Sequence, residues 1–482
     1  MFPRLPLRRS TRTRLLRTAL LLLTLFLLLD ALTLSSLRRA IPPLVPSPPS
    51  PPRPPYPGPP ILLASTHWNN AAILSSNWTS SLLALASYLG PRNLYVSIVE
   101  SGSWDESGGL LRDLDRELGA MGVGRRVLTG GRSHKEEMER PIGVGWVDTS
   151  GFRKGGGGGG RELRRVPYLA GVRNRVMEVL GEGVRGRVVG RGVREEVVEK
   201  GERMKGKGEL KRKPKVESKE VAKGREKEVT KAEDTGEDQW DWSKLGKVVW
   251  VNDVVFTVDD ILNLINTRDG DYAAACSMDY SKPPAYYDTF ALRDIEGYEA
   301  VTSTFPYFRS RISRRAILAG QPVPVQSCWN GMVAFDPSPF TSLDPLSFRG
   351  IPDSLASLHL EASECCLIHA DNPLTPSKGV WLNPSVRVGY SPAAYDAVHA
   401  NHPQSDKNGR GGAAWPSFGD AWAGVWKNRI ARWGSSEWFK RRRVRGRVRQ
   451  WGKEGDGARF EAGEVCLINE MQVLVENGWA HV

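Results

Sequence analysis

Lys247-Val-Val-Trp-Val-Asn-Asp-Val-Val-Phe-Thr-Val-Asp-Asp260 is the stretch whose reading decides the fold. Val248 to Val251 form a short apolar run between polar residues, the pattern of a strand buried on both faces of an α/β sheet. Asn252 and Asp253 end it with polar side chains. Thr257 then stands three residues before Asp260, and Ile261, Leu262, Leu264 and Ile265 follow at helical spacing, which predicts a helix opened by a capping box. A carboxylate at the C-terminal end of a buried strand occupies the edge where such sheets bind ligands. Oxygen ligands there suit Mg²⁺ or Mn²⁺, and such an ion would offset the charge of a nucleotide diphosphate. The same two residues can also serve only to turn and cap the chain.

Upstream, Ile61 to Ala64 reads as a first strand, Ser65 to Asn70 as the loop after it, and Ala71 to Leu89 as a helix. Leu94 to Val99 reads as a second strand closed by Glu100-Ser101-Gly102-Ser103, and Leu110 to Met121 as an amphipathic helix. This alternation predicts a mainly parallel sheet with helices on both faces, whose strand ends at His67 to Asn70 and Glu100 to Ser103 form a rim. Two insertions interrupt it. The glycine run at Gly155 to Gly160 is followed by no Gly-Lys-Ser/Thr, so about 151–165 reads as a flexible insertion. About 181–240 is dense in Lys, Arg, Asp and Glu with almost no large apolar residue, and cannot bury enough surface to offset its ordering entropy. Between them, Tyr168 to Leu180 reads as a helix with Leu169, Val172, Val176 and Leu180 on its apolar face. Arg173 lies off that face, free to reach a phosphate or carboxylate or simply to meet solvent.

The net charge of +13 is concentrated near the two ends and in the middle segment, so a uniformly basic surface does not follow. Arg4, Arg8, Arg9, Arg12, Arg14 and Arg17 precede the apolar run Ala19 to Leu29, which continues past Asp30 to Leu34. The arginines predict a cytoplasmic N-terminal side. A cleaved signal peptide competes with an uncleaved anchor, but no small-x-small site follows Leu34. The layout expected is therefore a tail at 1–17, a transmembrane helix at 18–37, a proline-rich stem at 38–60, a catalytic domain at 61–400 and a basic, Trp-rich region at 401–482. That is a type II arrangement. A lumenal address argues against nucleic acid as the partner of the C-terminal Trp and Arg residues, leaving a glycan, an anionic membrane or the domain itself. The five cysteines permit disulfides and leave at least one unpaired.

Three further clusters bear on chemistry. Tyr272 to Cys276 reads as a strand, followed by Asp279 and then Tyr286-Tyr287-Asp288, where aromatic rings beside carboxylates suit a sugar. Cys328-Trp329-Asn330-Gly331 forms a turn before another strand, its glycine letting the backbone approach a ligand closely. Glu361 and Glu364 are one helical turn apart, and His369 and Asp371 fit a strand end where His369 would complement Asp253 as a metal ligand.

The segments 97–103, 251–260, 271–279, 286–294, 324–331 and 364–373, taken in that order, resemble the fungal cryptococcal mannosyltransferases of glycosyltransferase family 69, which include capsule-associated α-1,3-mannosyltransferases. The resemblance runs from Ile61 to about Tyr390 outside the insert. It implies a type II Golgi enzyme with a GT-A-like α/β fold that moves mannose from GDP-mannose to a mannose-containing glycan with Mn²⁺ or Mg²⁺. Asn252 and Asp253 would stand at the metal motif, with His369 beside them. Glu361, Glu364 and Asp294 become candidates for the reacting sugar, and Arg173, Asn174, Glu100, Ser101, Asp288, Arg293, Trp329 and Asn330 for the donor. A catalytically silent relative supporting polysaccharide assembly or export, and a sugar-binding module without turnover, are the alternatives.

Overall fold

From the N-terminus, helix α1 (Arg9–Ala40) precedes β1 (Ile61–His67), α2 (Thr79–Leu89), β2 (Leu94–Glu100), α3 (Ser107–Ala120) and β3 (Gly124–Leu128). The short strands β4 (Trp146–Asp148) and β5 (Arg161–Leu163) pair with each other, and helix α4 (165–181) follows. The central part holds β6 (Lys247–Val251), α5 (Val258–Ile265), β7 (Ala274–Lys282), β8 (Ala285–Tyr286), β9 (Arg293–Asp294), β10 (Val323–Ser327) and β11 (Met332–Phe335). After these come β12 (Glu361–Ala362), α6 (Glu364–Asp371), β13 (Val380–Gly389), α7 (Phe418–Gly434), α8 (Glu437–Lys453), β14 (Leu467–Ile468), β15 (Gln472–Val475) and β16 (Gly478–His481). This computed structural model describes residues 9–40, 55–152, 160–181, 240–399, 416–434, 437–454 and 459–482.

The main sheet has the order β3-β2-β1-β6-β11-β7-β13-β10-β9, with β8 paired to β7. Most strands run in one direction; β8, β10 and β11 run against it. β6 sits at its middle, and its side chains alternate between two cores. Val248 and Trp250 join one core with Val176 of α4, Trp329 and Phe348, while Val249 and Val251 join the other with α2, α3 and α5. Burial of each such side chain stabilises by about 1.5–3 kcal/mol. A slip of one residue would exchange the two sets, so the register is strongly specified. The expected capping box is present: Thr257 Oγ1 accepts from the Asp260 amide, and Asp260 Oδ2 accepts from the Thr257 amide at 2.9 Å.

Two expectations change. Residues 161–165 are ordered rather than part of a flexible insertion, because Arg161–Leu163 form β5 and Arg164 is fully buried. The C-terminal region is built into the domain. β14 pairs with β12, Cys466 is disulfide-bonded to Cys366, and β15 lies against β5. The second disulfide, Cys276–Cys328, pins the β10–β11 connection onto β7, leaving Cys365 as a buried free thiol. Residues 41–54 of the stem expected at 38–60, and 182–239 of the charged segment expected at about 181–240, lie outside the described residues.

Arg164 ties these parts together. Its guanidinium meets Glu361 through Nε and Nη2 at 3.0 and 2.7 Å, and its Nη1 reaches Asp353 and the Ile351 carbonyl at 2.7 and 2.9 Å. Both Arg164 and Glu361 are fully buried, so removing one strands the other's charge in a dry interior. Glu361→Gln is expected to lower unfolding stability by about 3–5 kcal/mol in urea titrations. Unchanged stability with lost activity would instead make Glu361 a reacting group.

Candidate active site

β1, β6, β7 and β13 end at one edge of the sheet, and the reversed β11 begins there, with Met332 opposite Val251. The residues following these strand ends meet in space. Ser65 Oγ lies 3.0 Å from His67 Nε2, His67 Nδ1 lies 3.3 Å from Asn70 Oδ1, and Asn70 Nδ2 donates to Asp253 Oδ2 at 3.0 Å. The tip of β1 is thereby joined to the tip of β6. Burial holds the His67 pKa down to about 4, so it takes part as a neutral ring. Burial raises Asp253 to about 6, against the opposing Asn70 hydrogen bond and the Arg173 charge.

Asp279 on β7 is fully buried and accepts from the Asp288 amide at 3.2 Å and from the Tyr390 hydroxyl at 3.0 Å. Burial, with the neighbouring Asp288 charge, pushes it up to about 7. Asp288 is itself raised, first by burial and also by Glu364. Tyr287 is exposed above this group, its ring 4.7 Å from that of Tyr390, within the fields of Asp253, Asp279, Asp288 and Arg165. The turn before β11 holds the arrangement from below. Asn330 has φ 47° and donates through Nδ2 to the Asp288 carbonyl at 2.6 Å. Gly331 has φ 83°, and a Cβ there would lie 2.5 Å from Val388 and 3.2 Å from Asp279. The close approach that requires this glycine is thus to β13 and Asp279.

Two arginines stand over the carboxylates. Arg173 Nε donates to Glu364 at 3.1 Å, and its guanidinium lies 4.6 Å from the centre of the Trp329 ring. Its Nη1 is buried without a hydrogen-bond partner among the described residues. Arg165, the first residue of α4, donates to Gln472 at 2.6 Å and stacks 3.8 Å above Trp479. Burial lowers its pKa, and the Arg173 charge adds to this while Glu364 and Asp288 oppose it. An orphaned guanidinium nitrogen and a second, partly compensated arginine beside it are what a phosphate group would satisfy.

The structure therefore brings together Asp253, Asp288, Glu364 and Arg173 from the sequence expectations, and adds Asp279, Tyr287, Tyr390, Asn70 and Arg165. Asn252 and Trp329 adjoin them, the indole Nε1 donating to Asn252 Oδ1 at 3.2 Å. The other candidates have polar atoms engaged elsewhere, although His369 Nδ1 finds no hydrogen-bond partner among the described residues. Glu361 lies in β12 and Glu364 opens α6, so they do not share a helical face. His369 lies within α6 rather than at a strand end. Its Nε2 bonds the Cys328 carbonyl at 2.6 Å, its ring stacks on Phe335, and burial lowers its pKa to about 4. It adjoins the sulfurs of Cys276 and Cys328, which their disulfide removes as metal ligands. Asp294 accepts from the amides of Glu296, Tyr298 and Ser310. Arg293 donates to the carbonyls of Phe290, Leu292, Val465 and Cys466. Asn174 exchanges two 2.8 Å hydrogen bonds with the backbone of Phe348. Glu100 accepts from the amides of Ser103 and Gly130, and the Ser101 amide donates to the His67 carbonyl.

These donors fit a hard divalent cation. Asp253 offers a carboxylate whose only described hydrogen bond uses one oxygen, and Mg²⁺ or Mn²⁺ in such sites takes one or two carboxylates, waters and substrate phosphates. Asn252 would have to share its amide oxygen with Trp329.

A profile of the family described as "Cryptococcal mannosyltransferase 1" matches residues 60–371. No curated protein is significantly similar. Solved structures similar over much of the chain include two. One is the mannosyltransferase PcManGT from Pyrobaculum calidifontis in complex with GDP-Man and Mn²⁺, at 12% identity over 76% of this chain and 66% of that one, with a TM-score of 0.31. The other is a mycobacterial protein at 11% identity over 68% of this chain and 66% of that one, with a TM-score of 0.25. The chain thus spans just under two thirds of either structure, and at these scores neither supports an inference about this site.

The raised carboxyls make stability depend on pH. A carboxyl with a folded pKa near 7 stabilises the fold below its unfolded pKa of about 3.9, and this contribution is lost as pH rises through 7. In EDTA buffers, Asp279→Asn is therefore expected to melt higher than the parent at pH 8, and the two should converge at pH 4. A difference of the same size at both pH values would show that Asp279 is not held protonated by its surroundings.

Proposed function

Because the chain belongs to the family described as Cryptococcal mannosyltransferase 1, we propose that it transfers mannose from GDP-mannose to a hydroxyl of a mannose-containing glycan, in α-1,3 linkage. Asp253, with Asn252, would hold Mn²⁺ or Mg²⁺ at the tip of β6. The cation supplies charge neutralisation for the diphosphate and its departure. The observation that carries this reading is the half-buried Asp253 carboxyl, hydrogen-bonded to Asn70 just beyond the tip of β6 at the edge where α/β sheets bind ligands, its pKa raised to about 6 by desolvation. A group so disfavoured as a free anion gains most from a cation beside it.

The chain's own residues divide the remaining work. Arg173 and Arg165 take the diphosphate oxygens, where negative charge grows as the glycosidic bond to the donor breaks. Glu364 and Asp288 lie on the side where positive charge develops at the anomeric carbon. Asp279 and Tyr390 are positioning residues that hold Asp288 and Tyr287, and the Tyr287 ring gives a sugar an apolar face to rest on. A GT-A-like fold is supported by the consecutive parallel order β3-β2-β1-β6 and by the gathering of the site beyond the strand ends. We place the enzyme in the Golgi as a type II protein; α1 as its anchor, with the domain from residue 61 and its C-terminal strands in the lumen, is supported by the apolar 21-residue segment Thr13–Thr33 and the arginines around its start.

Purified full-length protein, incubated with radiolabelled GDP-mannose, Mn²⁺ and a short mannoside, is expected to form a longer mannoside. EDTA should abolish this, and Asp253→Asn should lower the rate by on the order of 100-fold. Transfer indifferent to both EDTA and Asp253→Asn would overturn the proposal.

A further inference from the structure

The C-terminal helices have a face that the reaction does not use. On α7, Ala421, Gly424 and Asn428 turn inward against the domain, with the Asn428 amide bonded to Thr302 and the Thr304 carbonyl. At 100° per residue, Phe418, Trp422, Trp426, Ile430 and Trp433 form a stripe on the opposite side. Phe418, Trp422, Ile430 and Trp433 are exposed, as are Trp438 and Phe439 at the start of α8. The middle of the stripe is already occupied by α1. Trp426 packs 5.2 Å from the Phe26 ring and donates to Asp30 at 3.1 Å, and Arg429 pairs with the same carboxylate. Asp30, the one acid in the apolar run, is thereby buried and paired.

Beside this contact is a cavity of about 510 Å³ between the end of α1 and the domain. Leu29, Leu32 and Val425 supply apolar wall, and Arg314, Arg429 and Arg432 supply cations. Arg314 makes no ion pair among the described residues. Burial, Arg314 and Arg309 together lower Arg432 to about 10. Cations crowded beside hydrocarbon-facing leucines match a phosphate group with acyl chains attached. Tryptophans flanking the end of a span match the bilayer interface. In water the stripe would be an exposed apolar patch.

We propose that this cavity binds the headgroup phosphate of a phospholipid, while the α7 stripe lies in the adjoining leaflet and rests the domain on the bilayer beside its own anchor. This relies on α1 being a membrane anchor and not on the reaction catalysed. The full-length protein is reconstituted in phosphatidylcholine nanodiscs with and without phosphatidylinositol, and native mass spectrometry then records the lipid kept after release into detergent. Wild type is expected to retain phosphatidylinositol, and Arg314→Gln, alone or with Arg432→Gln, to lose it several-fold. Acyl-brominated lipid should quench the tryptophan fluorescence, and Trp422→Ser with Trp433→Ser should reduce that quenching. No retained lipid, unchanged retention in the arginine variants, or capture of inorganic phosphate in place of lipid would overturn the proposal. Release of the protein from membranes by alkaline carbonate would remove the anchor and this inference together. Retained lipid without mannose transfer would count against the reaction alone.

Discussion

The site depends on a carboxylate placed where its charge is poorly tolerated. Asp253 follows a strand covered on both faces, is itself half-buried, and accepts a side-chain hydrogen bond from the neutral amide of Asn70. The cost of charging it there appears as a pKa near 6. Nearby, Asp279 is raised by burial and by the Asp288 charge, and Asp288 by burial and by the Glu364 charge. Among the described cations, Arg173 acts on Asp253 and Arg165 on Asp288, and Arg173 already shares its charge with Glu364. Under the proposed function, a cation and a diphosphate arriving together would balance such a cluster.

Much of the rest of the chain fixes that cluster in place. The tip of β1 is wired through Ser65, His67 and Asn70 to the tip of β6. The Cys276–Cys328 disulfide holds the turn that carries Trp329 and Asn330 against β7. The Arg164–Glu361 pair anchors the start of α4, one residue before Arg165, to the strand that precedes Glu364. Both ends of the arginine–carboxylate contact are therefore tied to one buried ion pair. Arg293 closes the C-terminal segment by donating to the backbone of Val465 and Cys466.

The strand at Lys247–Val251 and the capping box after it were legible, since an apolar run, a polar stop and a Thr/Asp pair at three-residue spacing are local signals. Asp253 followed from the same logic of strand ends. Other residues stayed hidden for physical reasons. Arg165 lies next to a glycine-rich stretch, and only the tertiary pairing of its neighbour Arg164 reveals that the backbone is fixed there. Glu361 looks like a catalytic group and Arg293 like a donor ligand in sequence because burial and pairing cannot be seen in one dimension. His369 fits a strand end in sequence because two apolar residues precede it, a pattern that a short buried helix shares.

The most direct test of the central claim is the proton count on binding. Mn²⁺ and GDP are titrated into the protein by calorimetry in buffers of different ionisation enthalpy, at pH 6 and pH 8, alongside Asp253→Asn. The account predicts proton release at pH 6 beyond what Mn²⁺ and GDP release on their own, little release at pH 8, and a smaller release in the variant. Binding at pH 6 with no excess proton release, or with the same release in Asp253→Asn, would contradict it.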